Sequence, residues 1–402
     1  MRVTRLAGLP LLMAAVAFGA AACAPTPPPS VSESSAASPA PTRTPAQKPT
    51  STPTPTPTSP ADARFTWARE RVSDLSLEQK AAALLMLHAP GTDAGPLRAF
   101  VDAGVSGLIF MGDNVGGSPA EVASLSAGVQ ADPEAPVLVA IDQEGGEVQR
   151  LPWDAAASAG ELRDAPATAS YDAFASRAAT LAESGVSVNF GIVADVTADP
   201  ESFISGRVLG TDPVAAAERV AAAVTGEQDV VLSTLKHFPG HGAAPGDSHS
   251  SVPSAPLTLD EWRAGPALPF AAGIDAGAEL VMTGHLAYPA VDPAPASLSP
   301  EWHRILREEL GFDGVVVTDD MLMLQHNGLP EYADPGENAV RAIAAGGDLL
   351  LYVLPADPSE FGISVEGLVA SIVGAVQAGR IPESRIDEAV GRVLELRRSL
   401  VL

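Results

Sequence analysis

Lys236-His237-Phe238-Pro239-Gly240-His241-Gly242-Ala243-Ala244-Pro245-Gly246-Asp247-Ser248-His249 places three of the chain's seven histidines among backbone-bending residues. Just upstream, Val230, Val231, Leu232 and Leu235 form a short apolar run, which predicts a buried strand. The Pro-Gly pairs beyond it predict a loop. Lys236 and His237 then fall at the carboxyl end of a buried strand, where a scaffold would present chemistry.

The same pattern repeats in both directions. Short apolar runs lie at Leu84 to Leu87, Gly107 to Phe110, Val137 to Ile141, Val186 to Phe190, Val230 to Leu235, Leu280 to Met282, Val315 to Val317 and Leu349 to Tyr352. Helix-like stretches separate them at Pro119 to Gln130, Asp172 to Ser184, Pro213 to Thr225, Pro266 to Gly277, Pro300 to Leu310 and Gly336 to Ala345. About eight strands alternating with helices predict an α/β chain folded as a single (β/α)8 barrel of the TIM type. A doubly wound open sheet is the other α/β arrangement this alternation allows. Residues 365 to 402 are apolar at helical spacing and are expected to pack on the barrel.

Composition bounds the function. The chain has 402 residues, 46% of them hydrophobic and 18% charged, enough to bury a large core. Its formal net charge of -25 argues against nucleic acid, whose phosphates call for a basic surface. Cys23 is the single cysteine, so neither an intrachain disulfide nor a cysteine-rich metal site can form.

At the amino end, Arg2 and Arg5 precede an apolar run from Leu6 to Ala22 that is short and alanine-rich for a membrane span. Residues 1 to 22 therefore read as a secretion signal. Ala20, Ala21 and Ala22 before Cys23 are similar to a bacterial lipobox, which implies lipid on Cys23. Residues 23 to 61, rich in Pro, Ser and Thr, read as a disordered tether, and 62 to 402 as the barrel. The expected protein is a monomer held outside the cytoplasmic membrane by its lipid alone.

Barrels of this type carry their active sites at the carboxyl ends of the strands. There the sequence offers Asp142-Gln143-Glu144-Gly145-Gly146, Asn189, Lys236-His237, His285 and Asp319-Asp320. Asp320 reads as a cap, whereas Asp319 directly follows Val315 to Thr318 and belongs on the rim. His88, His303 and His326 read as structural. His237, His241 and His249 could suggest zinc, but the intervening proline and glycines break any helix that would align them, so neither metal nor cofactor is expected.

The Lys236 to His249 stretch, the string from Ile141 through Asp142 to Arg150, and Val317-Thr318-Asp319-Asp320-Met321 resemble glycoside hydrolase family 3. They are most similar to its bacterial β-N-acetylglucosaminidases of the NagZ type. The resemblance implies that Asp319 is a nucleophile and that Asp247 and His249 form an acid/base dyad on a mobile loop. It also implies that Asp142, Arg150, Arg207, Lys236 and His237 hold the sugar. Ile204-Ser205-Gly206-Arg207-Val208-Leu209-Gly210 keeps the family's arginine and glycines but lacks its usual serine and phenylalanine. Glu147 stands where arginine is usual, and Ala243-Ala244-Pro245 where Gly-Asp-Thr is.

These residue types suit glycoside hydrolysis in their own right. A retaining enzyme needs a carboxylate to attack the anomeric carbon and a proton donor for the departing oxygen. His249 can be that donor, because imidazole titrates near neutral pH and Asp247 can orient it. Serine-protease chemistry does not fit, since Ser248 lacks a nucleophile elbow. The expected activity is exo-acting hydrolysis of terminal β-linked GlcNAc from a glycan or muropeptide. Transfer to phosphate, or sugar binding without catalysis, are the alternatives. A β-glucosidase is disfavoured because about forty residues follow the last strand and those enzymes usually carry a second domain.

Overall fold

The computed structural model describes residues 60–401. The expected signal and nearly all of the tether, with Cys23, lie outside them. The expected barrel boundary at residue 62 falls inside the first helix, Pro60–Asp74.

Eight parallel strands make the barrel: β1 (Leu85–Leu87), β2 (Gly107–Phe110), β3 (Leu138–Ile141), β4 (Val188–Val193), β5 (Leu232–Phe238), β6 (Leu280–Thr283), β7 (Val315–Thr318) and β8 (Leu350–Tyr352). Each pairs with its neighbours in chain order, and β8 pairs with β1 through Leu85↔Leu350 to Leu87↔Tyr352. Between β7 and β8 the ladder thins to the bridge Val317↔Leu349, so the barrel is nearly closed.

Side-chain alternation gives the closed sheet its inside and its outside. Met86, Ile109, Ala140, Phe190, Leu232, Met282, Val317 and Leu351 fill the interior in one cluster. Their neighbours Leu108, Phe110, Val139 and Ile141 point outward into the helical layer. Three helices of that layer start where the sequence said they would, because Ser118-Pro119, Asp212-Pro213 and Ser299-Pro300 each supply a capping oxygen followed by proline in the first turn, whereas the helix expected from Asp172 begins at Ala167. The expected single helix from Pro300 instead divides into Pro300–Arg304 and a π-helical turn, Ile305–Glu309.

The carboxyl-terminal residues form two helices, Val365–Gln377 and Glu383–Ser399. Val393 and Leu396 of the second join the interior cluster and close the amino-terminal end of the barrel. The carboxyl-terminal end is left for loops.

Two strands run well past their expected ends. One of them, β5, reaches Phe238 rather than Leu235, so that Lys236 and His237 lie within it. β4 does not stop at Phe190 but continues through Gly191 to Val193, with an irregularity against β5 between Asn189 and Ile192. Gly191 tolerates the close approach of the Gln143 carbonyl, where a Cβ would lie 2.3 Å from the oxygen. Asn189 is consequently buried in mid-strand and donates to the Glu227 carboxyl group at 2.5 Å, so it does not reach the rim. Asp195, just past β4, occupies that place.

Candidate active site

A pocket of about 370 Å³ opens at the carboxyl ends of the strands. Asp142, Arg150, Arg207, Lys236, His237, His249, Asp319 and Asp320 all line it. Asp247 joins them through its bond to His249. The residues expected to act on a sugar therefore converge, whereas Gln143, Glu144, Asn189 and His285, also expected at the strand ends, do not line the pocket.

One wall is a buried charge network. Lys236, carried by β5, places Nζ 2.9 Å from Asp142 Oδ1 and 2.7 Å from Glu144 Oε1. Arg207 forks onto Glu144 with bonds of 2.8 and 2.7 Å, and Arg150 reaches Asp142 at 3.4 Å. Burial opposes ionisation of Asp142, but the Lys236 ammonium and Arg150 guanidinium outweigh it and bring its pKa down to about 2. Burial likewise opposes the Glu144 carboxylate, and Lys236 and Arg207 lower its pKa nonetheless. Reciprocally, Asp142 and Glu144 overcome burial to hold Lys236 charged. These groups are ionised and in place before any ligand arrives.

His237 is set by Asp195. The Asp195 carboxylate, fully buried yet kept ionised by the adjacent His237 and His241, accepts from His237 Nδ1 at 2.7 Å and from the main-chain N–H groups of His237 and His241. Nδ1 is thereby turned to Asp195, and Nε2 lies 3.4 Å from Arg207. Among the described residues no group of three or more His, Cys, Asp or Glu side chains is disposed to hold a metal.

Asp319 follows β7 directly. Its main-chain N–H donates to Thr283 O at 2.9 Å, and its Oδ1 accepts the N–H of Asp320 at 2.8 Å. Burial would raise its pKa, but His237, His285, the Asp320 N–H and Lys236 together lower it, leaving an ionised carboxylate in the pocket. Asp320 differs: its Oδ1 caps the next turn by accepting from Leu322 and Val353, and burial, with Asp319 alongside, pushes its pKa up to about 7. His285 stands behind this pair. Burial favours its neutral form, so Nε2–H donates to Asp320 O at 3.0 Å while Ser297 Oγ bonds Nδ1 at 2.7 Å, which makes it a support for the Asp319 turn.

The loop after β5 carries the remaining pair. His249 Nδ1 lies 2.7 Å from Asp247 Oδ1, which also accepts the His249 N–H at 2.9 Å. Asp247 holds the proton on Nδ1, so Nε2 is the nitrogen available to the pocket. The His249 side chain is 62% exposed, as a group that meets incoming substrate must be.

Both ends of that loop are tied down. Trp262 Nε1 donates to Pro239 O at 2.7 Å and Tyr288 Oη to Gly240 O at 2.6 Å. At the far end, main-chain bonds of 2.9 Å join Ala255 to Ala287 and Ala287 to Pro253. Gly242 is needed for the tight turn, because a Cβ there would sit 2.1 Å from Val196 O.

Sequence reading missed Asp195, the ion-pairing of Glu144, and the pocket-lining His241, Ser248 and Phe203. Asp195 could have been found by letting the apolar run of β4 continue through Gly191. Glu147, one of the departures noted above, lies at the pocket with its carboxylate against Gly206, where a Cβ would come 1.9 Å from Oε1.

The chain matches the family model for the glycosyl hydrolase family 3 N terminal domain over residues 76–396. It is 35% identical over 302 residues to a beta-hexosaminidase of Xanthomonas oryzae pv. oryzae, a match covering 72% of this chain and 85% of that one. A family 3 beta-N-acetylglucosaminidase structure from Paenibacillus sp. str. FPU-7 superposes with a TM-score of 0.75 at 35% identity, covering 82% of this chain and 64% of that one. A beta-N-acetylhexosaminidase from Beutenbergia cavernae superposes with a TM-score of 0.69 at 32% identity, covering 81% and 99%. A matching barrel, a matching family model and relatives of this identity lead to one conclusion: the chain belongs to glycoside hydrolase family 3, with its β-N-acetylhexosaminidases of the NagZ type.

Proposed function

We propose that the protein is a retaining, exo-acting β-N-acetylglucosaminidase that removes terminal β-linked GlcNAc through a covalent glycosyl-Asp319 intermediate. The observation that carries this reading is the pairing of two different groups at one pocket: an ionised Asp319 carboxylate, and an exposed His249 whose Nδ1 is held by Asp247. In the first step an Asp319 oxygen bonds to the anomeric carbon as the glycosidic bond breaks. Protonated His249 gives its Nε2 proton to the departing oxygen. In the second step neutral Nε2 takes a proton from water, the water oxygen bonds to the anomeric carbon, and the bond to Asp319 breaks. Asp142, Arg150, Arg207, Lys236 and His237 hold the sugar hydroxyls and the acetamido-bearing ring. Their mutual ion pairs fix them in advance, which lowers the reorganisation needed when charge develops. The pocket volume, near the small end for ligand sites, favours one terminal sugar over an extended chain.

The choice of acceptor follows from the cations. A phosphorylase needs a positive place for phosphate, but Lys236 is paired with Asp142 and Glu144, Arg207 with Glu144, and Arg150 with Asp142. Phosphate would meet cations that each already pair with a carboxylate, and further acids at Glu147 and Asp319. This supports water as the acceptor. Peptidoglycan fragments are the proposed substrate source, on the strength of the signal and lipobox-like residues ending at Cys23, which would place the barrel beside the wall.

Trapping tests the reading. A 2-deoxy-2-fluoro or 5-fluoro GlcNAc-type glycoside should label Asp319, identified by peptide mass mapping. Label on Asp320 or Glu144 would sink the assignment, and absence of turnover with absence of label would favour a sugar-binding protein without catalysis. GlcNAc-1-phosphate as the main product in phosphate buffer would make the enzyme a phosphorylase.

A further inference from the structure

Phe203 is a large apolar side chain left 39% exposed at the pocket. It comes from the segment between β4 and the helix Pro213–Glu227, far in sequence from the loop that carries His249. Its ring centroid lies 5.5 Å from that of His249 with the planes at 70°, and 5.8 Å from that of His241. The Arg207 guanidinium stands 5.9 Å from the same ring. His241 in turn bonds Ser248 Oγ at 3.0 Å through Nε2, gripping the residue between Asp247 and His249.

The loop is pinned at Pro239–Gly240 and at Pro253–Ala255, but its middle is exposed at His249. Hydrogen bonds within the middle, such as Ser251 Oγ to Asp247 O at 2.7 Å, fix its shape without fixing its distance from Asp319. Phe203, from another segment, and His241, whose main-chain N–H donates to Asp195, touch that middle from outside it. A perpendicular ring pair sets the edge of one ring on the electron-rich face of the other, and that arrangement gains when imidazole becomes imidazolium.

From these contacts we infer that Phe203 is a positioning residue that, with the His241–Ser248 bond, latches His249 over the pocket and couples it to the sugar-holding Arg207. The inference rests on the reading of His249 as acid and base. A latch of this kind acts on proton transfer alone, so it matters for substrates whose leaving group needs protonation and little for those that leave unaided.

The test compares a GlcNAc disaccharide with an activated aryl β-GlcNAc in the full chain carrying Phe203→Ala, Phe203→Tyr, Ser248→Ala, His249→Ala, or both Phe203→Ala and His249→Ala. Phe203→Ala should lower kcat on the disaccharide by about tenfold, with KM and aryl turnover changed by less than about twofold. Ser248→Ala should do the same and Phe203→Tyr, which keeps the ring, should restore the rate. In the His249→Ala background, Phe203→Ala should cost nothing further. Equal losses on both substrates, or a further loss in that background, overturn the latch. If His249→Ala shows the leaving-group dependence and Phe203→Ala does not, the latch alone falls. If His249→Ala shows none, the acid/base reading fails and takes the latch with it.

Discussion

Adjacent residues in this protein receive opposite protonation. Asp319 and Asp320 are both carboxylates at the end of β7, yet His237, His285 and Lys236 hold the first ionised while burial raises the second to about 7. The sign of the consequence can be worked out. A carboxyl whose pKa rises on folding binds its proton more tightly in the folded state, so stability falls as pH climbs from about 4 to about 7. Asp142 acts in the opposite sense, its contribution being present above about pH 4 and lost as pH falls toward 2. Asp320→Asn keeps the oxygen that accepts from Leu322 and Val353 but cannot ionise. The variant should therefore gain on the wild type as pH rises from 5 to 8, by on the order of 1–3 kcal/mol or a few degrees in Tm. Melting curves across that range check it, and a gap that stays flat or reverses would show that Asp320 is ionised in the folded protein at neutral pH.

Among the elements, the final helix decides whether the barrel has a floor. Its Val393 and Leu396 enter the interior cluster, and Asp348, wholly buried two residues before β8, anchors it. Asp348 receives Arg385 at 2.5 Å and Arg392 at 3.2 Å from that helix, and Arg307 at 2.5 Å from the π-helical turn. Burial resists the Asp348 charge, but the three guanidinium groups outweigh it and keep the carboxylate ionised. Asp348→Ala leaves three half-buried cations without their shared partner. The expected loss is about 3–5 kcal/mol, read from denaturant unfolding. A loss below about 1 kcal/mol would mean that apolar packing alone seats the helix.

For the molecule as a whole, the barrel and the residues before it pose separate questions. Every residue of the pocket lies between 109 and 353, and the net charge of -25 gives the protein no electrostatic attraction to anionic lipid. Membrane association would then depend on Cys23. The wild-type protein is expected in the membrane fraction, and Cys23→Ala in the soluble fraction or with an uncleaved signal. Wild-type protein recovered wholly soluble, with an amino terminus away from Cys23, would remove the anchor. A chain beginning at residue 60 should retain hydrolytic activity in either case.

What the sequence by itself determined was the alternation of strand and helix and most of the residues delivered from the strand ends. Those features are local: apolar runs three to six residues long, Ser-Pro and Asp-Pro helix starts, and Asp319 following its strand without a gap. Only the tertiary structure decided which of these groups meet. Asp195 finds His237 across 42 positions and Glu144 finds Arg207 across 63, and no spacing rule in a single chain signals such pairs. They are set by the register and curvature of a closing barrel, which also carried β4 past Gly191 and turned Asn189 inward. The protonation states follow the same division. Residue type says that a group can titrate, whereas burial and neighbouring charge, both products of the fold, decide that Asp319 is ionised beside an Asp320 that holds its proton to about 7.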